Sequence, residues 1–182
     1  MTAAPVLLEV VTPQGETIGE AEKLSVHRQP GTLHRAFSVF LFGPDGRMLL
    51  QRRALTKYHS AGVWSNTCCG HPHPGEDPAA AATRRTREEL GLTPRGLRAA
   101  GTVVYHHADE ASGLVEHEYN HLFVGVTSLA PRPDPAEVHE TALVDAAGLG
   151  ALRRRAPFSA WFPTVLAAAL PDIRRTAPAG GW

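Results

Sequence analysis

Cysteine is scarce here: Cys68 and Cys69 are the only two among 182 residues, and they are neighbours. Adjacent cysteines rarely bridge each other, because the disulfide geometry is strained. No second cysteine pair exists to complete the paired CxxC or CxxC/HxxxH spacings of a structural zinc site. Counting therefore removes both a disulfide framework and a zinc finger, and leaves a reactive or buried thiol in a reducing compartment. Net charge is also lacking, since 18 basic and 18 acidic side chains cancel. Nothing pulls the chain globally toward nucleic acid or a membrane, and neither is expected as a partner. No apolar run approaches the roughly 20 residues that span a bilayer. The start, MTAAPVLLEVV, has no basic segment and no long apolar one. No signal peptide is expected, and a cytoplasmic location is. No internal repeat is present.

What is there suits one globular domain over residues 1–182, with 43% hydrophobic residues and 20% charged. Residues 1–5 and 172–182 are expected to be loose termini. Val6 to Val11 is a short apolar run ending at the turn signal Pro13-Gln14-Gly15, and a weak strand follows over Thr17 to Leu24. His34 to Phe42, rich in aromatics, reads as a strand, and Gly43-Pro44-Asp45-Gly46 turns it into Arg47–Arg53. Trp64 to Gly75 is loop-rich. Asp77 caps a helix with Pro78 in its first turn, and Gly91 stops it. Leu97 to His107 and Val115 to Thr127 read as longer strands, Pro131 to Pro135 as a linker, and Val138 to Val144 as another strand. Phe158 to Leu170 reads as a helix. Strands with interspersed helices predict an α+β fold, a mixed sheet packed between helices.

The stretch NTCCGHPHPGE, residues 66–76, leads into the Asp77 helix at a definite spacing. Gly70, Glu76, Arg84, Glu88, Glu89, Gly91 and Leu92 fit the Nudix box G-x5-E-x7-R-E-U-x-E-E-x-G-U, where U is aliphatic. Arg85 stands where that box has a metal-binding Glu, and Thr86 where it has an aliphatic residue. The substitution at 85 removes a carboxylate and adds a phosphate-binding fork, which argues against ordinary diphosphate hydrolysis. Arg84–Glu88 and Arg85–Glu89 are also i,i+4 pairs, so a solvated, salt-paired helix face is the bland alternative. Glu116 and Glu118 lie two apart on a predicted strand and share a face. Carboxylates leading into the apolar run Leu122–Val126 need a partner or a metal. Of ten histidines, His27, His34 and His71 lie at expected strand ends or in the glycine loop, where sites gather.

GVWSNTCCGHPHPGE, the degenerate box after it, RRALTKYHSAGVW and SGLVEHE together resemble type I isopentenyl-diphosphate isomerase, over roughly residues 5–170. The resemblance implies a Nudix-like α/β/α sandwich in the cytoplasm and interconversion of isopentenyl and dimethylallyl diphosphate. It implies a small allylic or homoallylic diphosphate as partner and a monomer, with a homodimer as alternative. It puts the catalytic thiol at Cys69 and the acid–base carboxylate at Glu118, with Trp161 in FSAW as the active-site tryptophan. The family tyrosine falls on Tyr105, or on His106 by ungapped counting from Glu116. The divalent-metal cage falls on His27, His34, His71, Glu116 and Glu118, and a second, diphosphate-bridging Mg2+ on Glu89. Basic contacts to the diphosphate fall on Lys23, Arg53, Lys57 and Arg85. Three imidazoles suit Zn2+ or Mn2+ better than Mg2+ on softness grounds, so all three stay open for the cage. A hydrolase of a nucleoside or other diphosphate is the competing reading, and a non-catalytic metal-dependent binding module a third.

Overall fold

A computed structural model describes residues 5–182; residues 1–4 of the expected loose start lie outside the described residues. The strands are β1 (Leu7–Val11), β2 (Thr17–Glu22), β3 (His34–Phe42), β4 (Met48–Arg53), β5 (Trp64–Ser65), β6 (Cys68–Gly70), β7 (Arg95–Asp109), β8 (Leu114–Val126) and β9 (Val138–Val144). The helices are α1 (Lys23–His27), α2 (Pro78–Leu90), α3 (Ala146–Arg155) and α4 (Phe162–Thr176).

β3 is the hub. Along one edge it runs parallel to β8, with His34 opposite Glu118 and Phe42 opposite Val126. Along the other edge it meets β1, then β6, then β4, all antiparallel. A strand covered on both faces needs a continuous apolar sequence, and every residue of β3 except Arg35 is buried. Its side chains alternate between two cores. Phe37, Val39 and Leu41 pack with Ala81 and Ala82 of α2. Phe40 and Phe42 pack with Leu149 and Leu152 of α3 and Phe162, Val165, Ala169 and Ile173 of α4. The mixed sheet is thus sandwiched between α2 and the α3–α4 pair.

α2 forms as the sequence predicts. The Asp77 carboxylate accepts from Ala79 N and Ala80 N, and Gly91, at φ 64°, closes the helix in the left-handed region that favours glycine. Three expectations are corrected. The weak strand over Thr17–Leu24 stops at Glu22, whose carboxylate caps α1 by accepting from Leu24 N and Ser25 N. α3 has no strong signal in the sequence: Gly148 and Gly150 weaken its helical signature, yet Asp145 caps it and Leu149 and Leu152 are buried. The tail is not loose from residue 172. Val165, Ala169 and Ile173, at i, i+4 and i+8, form a fully buried stripe that carries α4 past Pro171 to Thr176. Beyond it, Trp182 packs edge-on against Phe42 and donates from Nε1 to Gly46 O at 2.9 Å. Among the described residues no helix is long and apolar enough to cross a membrane.

Candidate active site

The sheet's pleat settles what the cysteine pair does. Successive residues of β6 face opposite ways. Cys68 is fully buried in the α2 core, with its Sγ 3.5 Å from Glu89 Oε2. Cys69 faces the α4 side and lines a cavity of about 290 Å³. Its thiol donates to Asn66 Oδ1 at 3.0 Å, and Ser38 Oγ lies 3.7 Å away. Asn66 is itself pinned, donating from Nδ2 to Val39 O and Cys68 O. Burial pushes the Cys69 thiol up to about 11, so it keeps its proton at neutral pH.

The same face of β3 and β8 carries the other reactive groups. The parallel register sets His34 beside Glu118. His27 arrives at the end of α1 and His71 just after β6. One ligand atom from each of His27, His34, His71, Glu116 and Glu118 lies within 4.8 Å of every other. The second-sphere bonds fit a metal. His27 Nδ1 donates to Lys23 O at 2.6 Å and His34 Nδ1 to Thr32 O at 2.8 Å. Each ring's other nitrogen, Nε2, is thereby left pointing into the cluster, the usual arrangement of a metal-binding imidazole. His34 Nε2 and His71 Nε2 stand 3.2 Å apart, and buried His27 Nε2 has no aligned hydrogen-bond partner. Lone pairs so close, with two carboxylates, form a ligand set that a divalent cation would fit.

Burial holds His34 down to about 4 and pushes His71 well below the usual histidine range. Burial opposes protonation of His27 too, but the Glu116 carboxylate, 3.3 Å away, outweighs it and raises His27. Burial and the charge of Glu116 raise Glu118, while His27 and His59 overcome burial to keep Glu116 ionised. The two carboxylates are thus pushed apart, Glu116 toward its charged form and Glu118 toward its protonated one.

Tyr105, not His106, reaches this centre. β7 pairs Tyr105 with Glu118, and its buried hydroxyl donates to Glu118 Oε2. His106 faces outward and bonds Pro30 O. Asn120 donates to both partners, at 2.9 Å to Glu118 Oε2 and 3.1 Å to the Tyr105 hydroxyl. Trp161, at the start of α4, closes the cavity wall with its Nε1 buried and unpartnered.

Lys23, Arg53, Lys57 and Arg85 line the cavity as well. Lys57 pairs with Glu137, while Arg85 reaches Glu88 and Glu89 at 2.7 Å and Glu137 at 3.3 Å. Arg85 is therefore no solvated helix pair: it bridges the box to the loop before β9. Glu89 also accepts from Gln51 Nε2 at 2.9 Å. Arg84 forks onto Glu76, both bonds 2.8 Å, and closes the loop that carries His71 against α2.

Nothing in the residue pattern singles out Asn66, Asn120 or His59. The first two are ordinary amides in strand-rich segments, and His59 was one of ten histidines. His59 Nε2 nevertheless lies 2.5 Å from Glu116 Oε1, at the wall of the cavity.

The NUDIX domain family model matches residues 32–162. The isopentenyl-diphosphate Delta-isomerase of Streptomyces griseus subsp. griseus is 66% identical over 182 residues, 100% of this chain and 92% of that one. That of Nocardia farcinica is 44% identical over 172 residues, 93% of this chain and 98% of that one. Among solved structures, DR0079 from Deinococcus radiodurans superposes with a TM-score of 0.69 at 16% identity, over 93% of this chain and 98% of its own. A MutT NUDIX hydrolase from Burkholderia pseudomallei gives 0.59 at 22% identity, over 75% of this chain and 97% of its own. At such identities the solved structures speak to the fold alone.

Proposed function

We infer that this chain, which belongs to the isopentenyl-diphosphate Delta-isomerase family of NUDIX-domain proteins, interconverts isopentenyl diphosphate and dimethylallyl diphosphate. The observation that carries the reading beyond family membership is the convergence of Cys69, Glu118 and Trp161 on one cavity whose other wall is basic. A hydrolase box would put a carboxylate at 85, where this chain has Arg85.

The isomerisation forms one C–H bond at the terminal methylene and breaks another two carbons away, so no net proton is consumed. It needs one acid and one base. Cys69 and Glu118 are our choice, because both line the cavity: the one that starts protonated gives its proton to one carbon, the one that starts unprotonated takes a proton from the other, and the two exchange roles in the reverse direction. Tyr105 and Asn120 orient the Glu118 carboxyl through Oε2. Asn66 orients the thiol. The intermediate resembles a tertiary carbocation, and the face of Trp161 would stabilise it by about 2 kcal/mol when desolvated. Lys23, Arg53, Lys57 and Arg85 would hold the unreactive diphosphate, whose binding energy positions the small hydrocarbon tail.

His27, His34, His71, Glu116 and Glu118 would hold Mn2+, Mg2+ or Zn2+, and Glu89 a diphosphate-bound Mg2+. Such cations fix the carboxylates, tune their basicity and neutralise the diphosphate. Action as a monomer in the cytoplasm belongs to the same reading. Incubation with isopentenyl diphosphate tests it: dimethylallyl diphosphate should form, and release of phosphate in its place would overturn it in favour of a hydrolase.

A further inference from the structure

We propose that His59 is a positioning residue that couples the metal cage to the diphosphate-binding wall. The inference deepens the isomerase reading: its metal half rests on the geometry of the cage alone, and its diphosphate half rests on that reading.

His59 lies beyond β4 and is only 9% exposed. Its two ring nitrogens face the two halves of the cavity. Nδ1 faces Arg53 Nη2 at 3.3 Å. A guanidinium only donates, so Nδ1 accepts and the proton of the neutral ring sits on Nε2. That nitrogen is the one 2.5 Å from Glu116 Oε1. The other Glu116 oxygen, Oε2, is directed at His27 Nε2 inside the cage, 3.3 Å away. His59 thus faces one carboxylate oxygen at ion-pair distance, though out of line for a hydrogen bond, and leaves the second for the cage, which limits the rotation of the Glu116 carboxylate. Its backbone carbonyl takes a further contact from Arg53 Nη2 at 3.3 Å.

The ring is built into place rather than resting on a surface. It stacks on Tyr58 at 4.5 Å and 16°, and lies over Trp161 at 6.2 Å and 27°. Arg53 sits over the same Trp161 ring at 5.6 Å. The next residue, Ser60, takes the left-handed conformation at φ 47°, a cost that the surroundings must offset. They do so through Asp109 Oδ2, which accepts from Ser60 N at 2.9 Å and Ser60 Oγ at 3.2 Å. The end of β7 therefore anchors the turn that aims His59. A residue that only filled space between Tyr58 and Trp161 would need neither nitrogen.

Two variants separate these roles. His59→Phe keeps an aromatic ring in the stack and removes both nitrogens. His59→Gln gives up the stack and keeps an amide donor for Glu116. Titration of chelator-stripped protein with Mn2+ alone, by calorimetry, reads the cage without any turnover. Steady-state kinetics with isopentenyl diphosphate at saturating Mn2+ and Mg2+ read the diphosphate side. His59→Phe should weaken Mn2+ binding about 10–100-fold, the range for loss of an outer-shell partner. Its KM should rise by more than kcat falls, because Arg53 loses its guide. His59→Gln should hold Mn2+ within about threefold of wild type. Wild-type Mn2+ affinity and KM in His59→Phe would make the residue mere filling and overturn the proposal. So would a tenfold loss of Mn2+ affinity in His59→Gln, which stays decisive even where His59→Phe does not fold. Wild-type protein that binds Mn2+ but does not isomerise would sink the isomerase reading, leaving the metal half to its own titration.

Discussion

Replacing each of the adjacent cysteines by alanine should separate stability from turnover, because they face opposite sides of one strand. Cys68 is 0% exposed and packed among Phe37, Val39, Leu41, Ala81, Ala82 and Phe123. Removing its sulfur deletes about one methylene's worth of buried volume and leaves a cavity that the surrounding strands cannot close. The transfer and cavity costs together come to about 1–2 kcal/mol. For a chain of this size each kcal/mol lowers the melting temperature by about 2–4 °C, so Cys68→Ala should melt roughly 2–8 °C lower. Its kcat should stay near wild type. Cys69 faces the cavity, and its thiol is held protonated at neutral pH. Cys69→Ala should cost little stability and remove an acid–base partner, worth about 10²–10⁴ in rate. Thermal unfolding followed by circular dichroism and a steady-state assay on both variants supply the four numbers. Equal loss of turnover in both would refute the assignment of faces to functions, as would a Cys69→Ala protein that melts lower than Cys68→Ala.

Arg85→Met should leave buried Glu89 without its cation, and because Arg85 is one-quarter exposed we expect about 2–3 kcal/mol. Urea unfolding checks this, with Glu89→Gln added to Arg85→Met recovering part of the loss; a cost below about 0.5 kcal/mol would return Arg85 to a solvated helix pair. Glu76 is lowered from 4.5 to about 2, chiefly by the Arg84 fork. A lowered folded-state value stabilises above the unfolded value and loses that stability as pH falls through the folded one. The stability difference between wild type and Glu76→Gln, about 1–2 kcal/mol at neutral pH after screening, should therefore shrink as pH drops from 4.5 toward 2; a pH-independent difference contradicts the ion-pair account. His27→Ala, His34→Ala and His71→Ala should each lower metal content by elemental analysis, and a full complement in all three would end the cage.

Local signals carried much of the fold. The capped helix 78–90, the run His34–Phe42 and the paired carboxylates of β8 each announce themselves through a few adjacent residues. Pairing does not, because register depends on partners far along the chain. Counting back from Glu116 along the sequence lands on His106, whereas the β7–β8 register sets Tyr105 against Glu118. The parallel alignment of β3 with β8, which delivers His34 to Glu118, has no local signature either. α3 was hidden by its two glycines, and the docking of α4 beyond Pro171 depends on a stripe visible only once the sheet lies beneath it. The cage residues could be named from the family resemblance. Their supports could not, since Asn66, Asn120 and His59 are set by what they touch.

Deuterium incorporation from heavy water into the recovered diphosphates, followed in wild type, Cys69→Ala, Glu118→Gln and Glu116→Gln, tests the central claim most directly. Two-sided proton transfer predicts label at both reacting carbons in wild type, with each of the first two variants losing turnover and exchange at the carbon its residue serves. Gln keeps the size of Glu118 and an oxygen ligand but carries no exchangeable acid proton at neutral pH. Glu116→Gln should regain activity in excess metal, and Glu118→Gln should not. Full turnover of Glu118→Gln in excess metal, with label still entering both carbons, would contradict the account.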